Sequence, residues 1–282
     1  MNVIKSVTEM QAFSDACRKQ GKTIAFVPTM GYLHQGHAHL MQEGRKLGDV
    51  LIVSIFVNPT QFGPGEDFEK YPRDWDRDAQ LCTSANVDVI FAPTAEEMYP
   101  QGYQTSIIVS QVSQNLCGVS RPTHFQGVAT VVAKLFNCTK PHVALFGEKD
   151  FQQLVVIKRM VKDLNMDIKI IGVPTVREQG GLAMSSRNTY LSVDERISAL
   201  SLSQGLARAR ELFQQGERSA LVLIGTVREI IEKEKCAAVE YIKVCDIETL
   251  QDIETIAQPA VMALAVKIGK ARLIDNIVLK EE

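Results

Sequence analysis

Several things are scarce in this 282-residue sequence, and each scarcity excludes a class of protein. No two of the six cysteines (Cys17, Cys82, Cys117, Cys138, Cys236, Cys245) form a C-x-x-C pair, which argues against zinc-ribbon and thioredoxin-like arrangements. Scattered in this way, they read as buried thiols of a reducing compartment, so a cytoplasmic location is expected. Net charge is nearly absent: 31 Lys and Arg face 33 Asp and Glu, leaving −2. A general nucleic-acid binder leaves a basic footprint, so no nucleic-acid partner is expected, although a local cationic pocket for a small anion stays open. The most apolar run, VLIVSIFV (Val50–Val57), is too short to cross a bilayer, and MNVIKSVTEM at the start has no apolar signal core. No membrane association is expected either. The G-x-x-x-x-G-K-S/T phosphate loop and the G-x-G-x-x-G dinucleotide fingerprint are both missing. There is no internal repeat, low-complexity tract or flexible linker.

A hydrophobic fraction of 45% is enough for a real core, and the length suits one or two domains. Up to about residue 175, short β-rich runs alternate with helical patterns. Strands are expected at Thr23–Pro28, Val50–Val57, Val87–Phe91, Val143–Phe146 and Asp167–Val173, with an edge or hairpin piece near Gln104–Val109. Helices are expected over Gly36–Gly48, Asp74–Asn86, Gln126–Asn137 and Phe151–Leu164. The non-alternating VLIVSIFV suits a strand buried on both faces of a parallel sheet. Strand–helix–strand repetition implies right-handed crossovers and a doubly wound α/β sheet. From about Val176 the texture changes. Two helical patterns (Asp194–Gln215 and Ser219–Lys235) precede three consecutive β-rich runs, VEYIKVC, VMALAVKIG and ARLIDNIVL. The expected organisation is an α/β domain over 1–175 and a smaller C-terminal α+β domain over 176–282.

Ligands in doubly wound sheets bind at the carboxyl ends of the strands, which directs attention to the loops there. PTMGYLHQGH (Pro28–His37) follows the first strand and carries two of only five histidines. A helix N-terminus there would attract phosphate, with His34 and His37 adding N–H donors and Gly31 and Gly36 allowing close approach. A zinc site and a plain helix start are the competing readings. FGEKDFQQL (Phe146–Leu154) places Lys149 after another strand as a mobile cation, while Asp150 and Gln153 fit a D-x-x-Q cap. LAMSSRNTYLS (Leu182–Ser192) offers two hydroxyls and Arg187 as a phosphate clamp. Ser192 with Glu195 makes a capping box assigned to structure alone. FVNPTQF (Phe56–Phe62) supplies neutral Asn58 and Gln61 beside apolar Val57 and Phe62, against the alternative of an ordinary Asn-Pro turn. YPR (Tyr71–Arg73) and RPTHFQGV (Arg121–Val128) are further candidates, with Arg121 and His124 open to a plain capping or surface role.

His34-Gln35-Gly36-His37 resembles the H-I-G-H signature of the nucleotidyltransferase superfamily. The set PTMGYLHQGH, FVNPTQF with EDFEKYPR, RPTHFQGV, FGEKDFQQL and MSSRN, with RLIDN near the C-terminus, is similar to the pantothenate synthetase (pantoate–β-alanine ligase) family. That resemblance implies a Rossmann-like domain with a small C-terminal lid domain, a homodimer, and ATP with Mg²⁺ carried by the nucleotide rather than caged by protein side chains. It implies two steps, pantoate attacking the ATP α-phosphate and β-alanine attacking the resulting pantoyl adenylate. It further implies an ATP site from Met30, Gly31, Tyr32, Leu33, His34, Gln35, Gly36, His37, Gly147, Glu148, Lys149, Asp150, Val176, Met184, Ser185, Ser186 and Arg187. His37, His34, Lys149 and Arg187 are the implied catalytic groups. Gln61, Gln153 and Asn58 are implied for pantoate, and Gln61 also for β-alanine. Three departures stand out. Tyr32 replaces a small or polar residue, Thr123 replaces glycine and so puts its loop in doubt, and Met184 replaces leucine. The alternatives are another nucleotidyltransferase acting on a phosphorylated substrate, a tRNA synthetase, or a nucleotide-sensing module without catalysis.

Overall fold

The computed structural model describes residues 1–281. In chain order its elements are β1 (Asn2–Ile4), α1 (Val7–Lys19), β2 (Ile24–Thr29), α2 (Gln35–Leu47), β3 (Val50–Ile55), α3 (Trp75–Ser84), β4 (Val89–Phe91), α4 (Ala95–Met98), α5 (Cys117–Ser120) and α6 (His124–Thr139). They continue with β5 (Val143–Gly147), α7 (Phe151–Asp163), β6 (Lys169–Val173), α8 (Val193–Gln214), α9 (Ala220–Ile231), β7 (Ala237–Asp246), β8 (Ala260–Ile268) and β9 (Ala271–Leu279). The chain forms two compact units. One comprises 1–110, 121–148 and 156–174; the other comprises 111–120, 149–155 and, of the described residues, 175–281.

The first unit is a six-stranded, all-parallel sheet in the order β1-β4-β3-β2-β5-β6. The runs read at Thr23–Pro28, Val50–Val57, Val87–Phe91 and Val143–Phe146 are its inner strands β2, β3, β4 and β5, that at Asp167–Val173 is the edge strand β6, and burial on both faces explains the lack of alternation in the inner ones. On β2, Ala25 and Val27 join the core under α2 and α3 with Leu40, Met41 and Cys82. Phe26 points the other way and meets Phe136 of α6 edge-on at 6.2 Å. Each such fully buried large side chain contributes about 1.5–3 kcal/mol. After β2 the chain builds toward β3, whereas β5 lies on the other side of β2. The carboxyl ends of β2 and β5 therefore flank the topological switch point, where open α/β sheets bind ligands.

One expectation fails here. Gln104–Val109 is not a strand. The sheet edges are taken by β1 and β6, Ile108 is 68% exposed, and the Ile107 amide donates to the Thr130 hydroxyl instead of a ladder partner. β1 and α1 are absent from the sequence reading. β1 has only three residues, and the buried face of α1 is Met10, Ser14 and Cys17, with a serine interrupting its apolar stripe. The missed signal was Ser6-x-x-Glu9, since Ser6 caps α1 by accepting from the Glu9 amide.

The second unit carries the antiparallel sheet β7-β8-β9 with α8 and α9 against it. Leu202, Leu206, Ala209 and Phe213 of α8 recur at helical spacing and meet Leu223, Val227 and Ile231 of α9 over Met262, Leu264 and Val266 of β8. Ser192 and Glu195 form the expected reciprocal capping box at the start of α8.

Candidate active site

The loop between β2 and α2 is built around histidine capping. His34 is the N-cap of α2. Its Nδ1 accepts from the Gly36 amide at 3.1 Å, and His37 Nδ1 accepts from the His34 amide at 3.2 Å. A backbone N–H can only donate, so neither Nδ1 carries a proton in the neutral ring. Both imidazoles are therefore Nε2–H tautomers, each with its donor on the ring edge away from the helix backbone. The rings stand 4.1 Å apart between centroids. The plain helix-start reading is thus met, through Nδ1 of both rings.

The turn before the cap is unusual backbone. Gly31 (φ +79°) and Tyr32 (φ +49°) are both left-handed, and for Tyr32 this costs about 1–2 kcal/mol. Thr29 Oγ1 accepts from the Gly31 amide (3.2 Å), and the Asp78 carboxylate accepts from Tyr32 (2.8 Å) and Leu33 (2.6 Å). The amides of residues 31–34 and of Gly36 are therefore engaged by side chains of the fold. Asp78, on α3, is 2% exposed. Burial pushes its carboxyl above the ordinary range despite the two amide bonds. Nothing near PTMGYLHQGH in the sequence marks it. Met30 and Tyr32 are partly buried, Leu33 is buried and Gln35 is exposed. Thr123, by contrast, sits at φ −95°, so its departure from glycine costs no strain. The strained departure is Tyr32.

The segment after β3 is a 3-10 turn, Pro59–Gln61, capped by Asn58. Asn58 is 1% exposed, and its polar atoms have protein partners. Its Nδ2 donates to the Gly127 carbonyl (3.2 Å) and to Gln61 Oε1 (3.1 Å). Its Oδ1 accepts from Tyr99 Oη (2.7 Å) and Thr60 Oγ1 (2.9 Å). The Gly127 carbonyl can only accept, so it fixes which end of the Asn58 amide is nitrogen. Asn58 in turn fixes which end of the Gln61 amide is oxygen. Gln61 thus presents Nε2 as a donor, 3.1 Å from Met30 Sδ. The Gln61 carbonyl accepts from Arg121 (3.3 Å) and lies 2.8 Å from His124 Nδ1, which must donate to it. Arg121 is also bidentate to Glu66 at 2.7 and 2.6 Å. RPTHFQGV therefore braces the Gln61 turn. Gly127 allows the close approach, because a Cβ there would stand 2.7 Å from Gln61 Cα.

After β5, Glu148–Asp150 form a 3-10 turn that runs directly into α7. Gly147 and Glu148 belong to the first unit, Lys149, Asp150 and Gln153 to the second. Lys149 is more enclosed than a typical surface lysine, with a side chain 19% exposed and Nζ 3.9 Å from Asp150 Oδ1. Its carbonyl accepts from Asn276 Nδ2 of β9 at 2.9 Å. Gln153 is partly buried, whereas its neighbour Gln152 is buried and holds the Cys117 amide and the carbonyls of Val112 and Asn115.

In the second unit, the Met184 amide donates to the Val176 carbonyl at 3.0 Å, which joins two candidate residues directly. Ser185 caps the 3-10 turn Ser186–Tyr190, its Oγ accepting from the Arg187 amide. The strut beneath this hairpin is Arg177, bidentate to buried Asp275 (2.7 and 2.9 Å) and bonded to the Gly181 carbonyl. Asn188 and Arg196 both bind Glu178. Asp275 and Asn276, adjacent in RLIDN, thus hold the hairpin and the Lys149 backbone respectively. The buried strut was invisible as an Arg–Asp pairing 98 residues apart.

Sheet order, switch point and the histidine-capped helix behind β2 define the class, a doubly wound α/β protein with its polar loops at the strand carboxyl ends. The pantoate–β-alanine ligase family model matches residues 2–278, and the chain belongs to that family. Relatives named pantothenate synthetase include those of Geobacter sulfurreducens (60% identical, all of both chains covered) and Syntrophus aciditrophicus (59%, all of this chain and 99% of the relative). A pantothenate synthetase structure from Thermus thermophilus superposes with a TM-score of 0.95 at 43% identity, covering both chains fully. A Francisella tularensis pantoate–β-alanine ligase, solved with βγ-ATP and β-alanine, gives 0.81 at 35% identity over 100% and 99% of the two chains.

Proposed function

We propose that this protein condenses pantoate with β-alanine at the expense of ATP, forming pantothenate, AMP and pyrophosphate through pantoyl adenylate. The observation that carries the reading beyond family membership is the capped histidine pair, whose two Nε2–H donors stand at the carboxyl end of β2 beside the switch point. Joining two anions requires donors and cations at the phosphates, because charge grows on the phosphate oxygens as pantoate attacks. His34 and His37 donate from Nε2, with His37 as the proton-donating residue. Lys149 and Arg187 supply positive charge to the same nucleotide, and Met30–Gly36, Gly147–Asp150, Val176 and Met184–Ser186 complete its contacts. Gln61, held as a donor, suits a carboxylate or hydroxyl oxygen of pantoate, with Gln153 assigned the same substrate and Asn58 acting through Gln61. Gln61 also meets β-alanine. The β-alanine amine, with a pKa of roughly 10, loses its proton to the adenylate phosphate or to water.

Mg²⁺ fits the donor set present. Among the described residues no three His, Cys, Asp or Glu side chains converge on one point, and Mg²⁺ commonly takes one or two carboxylates plus substrate phosphates. Asp150, an implied ATP-site residue with a half-exposed side chain, would be the carboxylate to meet it. When bound with ATP, the ion offsets phosphate charge. A homodimer working in the cytoplasm completes the reading. Five of the six thiols are buried, and among the described residues no helix is long and apolar enough to cross a membrane.

The test is ATP–pyrophosphate exchange without β-alanine. Exchange should depend on pantoate; its absence from folded, Mg²⁺-supplied protein would overturn the ligase reading. Sedimentation should give the mass of two chains.

A further inference from the structure

We infer that Asp78 is a positioning residue that holds the Gly31–Leu33 turn in the shape from which His34 and His37 meet the phosphates of ATP. The inference rests on the assignment of that loop to ATP. Asp78 sits on α3, 46 residues from the turn, and spends both carboxylate oxygens on it, Oδ2 on the Tyr32 amide at 2.8 Å and Oδ1 on the Leu33 amide at 2.6 Å. With Asp78 2% exposed and both its oxygens bonded to the turn, the carboxylate is not placed to touch a ligand, and an anion exposed there would repel phosphate.

What the clamp does follows from the backbone it holds. Two successive left-handed residues reverse the chain, and the second is a tyrosine, which disfavours that region. Two donors must be supplied with an acceptor for the reversal to persist. Thr29 holds the amide before them, and its hydroxyl donates to the Ser54 carbonyl at 2.7 Å, so the turn is tied to β3 on one side and to α3 on the other. Arg77, beside Asp78 on the helix, lies over the Tyr32 ring at 4.9 Å and restrains the same residue from outside. One residue after Leu33 comes His34, whose own amide completes the capping box. The direction of both imidazoles is therefore set by where the clamped turn delivers the chain. The fit is close, since a Cβ on Gly31 would stand 2.9 Å from Asp78 Oδ2 and 3.0 Å from Ile55 Cγ2.

The experiment compares wild type with Asp78→Asn, which turns one acceptor into a donor facing an amide donor. Pyrophosphate exchange is measured at varied ATP and at varied pantoate, and binding of a non-hydrolysable ATP analogue is measured by calorimetry without pantoate. The expected result is an ATP KM and analogue Kd raised about ten- to a hundredfold, with the pantoate KM within about twofold of wild type. A merely structural role would lower the amount of active protein and leave both KM values alone, and that outcome overturns the inference. If Asp78→Asn does not fold, Gly31→Ala displaces the same carboxylate from the turn side. Unchanged analogue affinity in a folded Gly31→Ala protein overturns it equally. Failure of the ligase reading looks different, since wild type then binds the analogue without pantoate-dependent exchange and the clamp is judged on the titration alone. A wild type that binds no analogue overturns both.

Discussion

Replacing Asn58 with alanine removes an amide that organises the Gln61 turn. Two acceptors lose their donor, the Gly127 carbonyl and Gln61 Oε1, while Tyr99 and Thr60 keep each other at 3.2 Å. An unsatisfied buried acceptor costs about 1–3 kcal/mol. The site is polar enough for a water to enter the space left, which places the expected loss near the lower half of the two-acceptor sum, about 3 kcal/mol. For a unit of this size that corresponds to a Tm lower by about 6–12 °C. The functional consequence is separate from the stability one. Without Asn58 the Gln61 amide can turn over and present oxygen instead of nitrogen, so the pantoate KM should rise about tenfold while the ATP KM holds. Asn58→Asp should be worse for pantoate, because it sets a carboxylate against two oxygens and beside the site of an anionic substrate. Denaturation and exchange kinetics at varied pantoate and ATP measure both parts. A stability change below about 0.5 kcal/mol would refute the network argument. An ATP-selective effect would remove Asn58 and Gln61 from pantoate.

Three further outcomes are expected. Lys149→Ala should lower exchange by about 10²–10³-fold yet change stability by no more than about 1 kcal/mol, because the tie to Asn276 runs through the Lys149 backbone; near wild-type exchange would take Lys149 out of the mechanism. Asp275→Ala should cost about 2–3 kcal/mol in urea unfolding, on the low side for a buried pair because the Arg177 side chain keeps 30% exposure and can rehydrate; a change within error would mean the strut bears no stability. Burial pushes the Glu66 carboxyl up, but its hydrogen bonds with Arg121 outweigh this and hold it below the ordinary range. A lowered folded-state value means that its stabilisation is present above the unfolded value of about 4.3 and is lost as pH falls through the folded one, so Glu66→Gln should flatten the acid limb of stability below about pH 5. Parallel limbs in the two proteins would contradict that assignment.

The C-terminal strands show how far local pattern reaches. ARLIDNIVL is read as a strand at the residues that form β9, and every inner strand of the parallel sheet begins within two residues of its expected start. Burial on one or both faces imposes periodicity on the residues themselves, so these elements are written locally. Gln104–Val109 has the composition of a strand but joins no strand of the sheet, its Ile107 amide being taken by the Thr130 hydroxyl, and pairing is a property of the whole sheet. For the same reason three-residue β1 carries no signal of its own and exists only because β4 offers it a partner.

The sequence by itself determined the alternation that makes the sheet parallel, the loops at its strand ends, and a motif set specific enough for the family. Histidines, glutamines, a lysine and an arginine could be proposed because their chemistry is carried by residue type. Only the tertiary structure decided which atoms do the work. It put the proton of both histidines on Nε2, turned Asn58 inward to orient Gln61, made Arg121 and His124 into braces, and brought Asp78 beneath the PTMGYLHQGH turn. The histidine tautomers follow from caps two and three residues away, but the partners that fix Asp78, Asn58 and Arg177 lie 46, 69 and 98 residues away along the chain, and no local pattern records those.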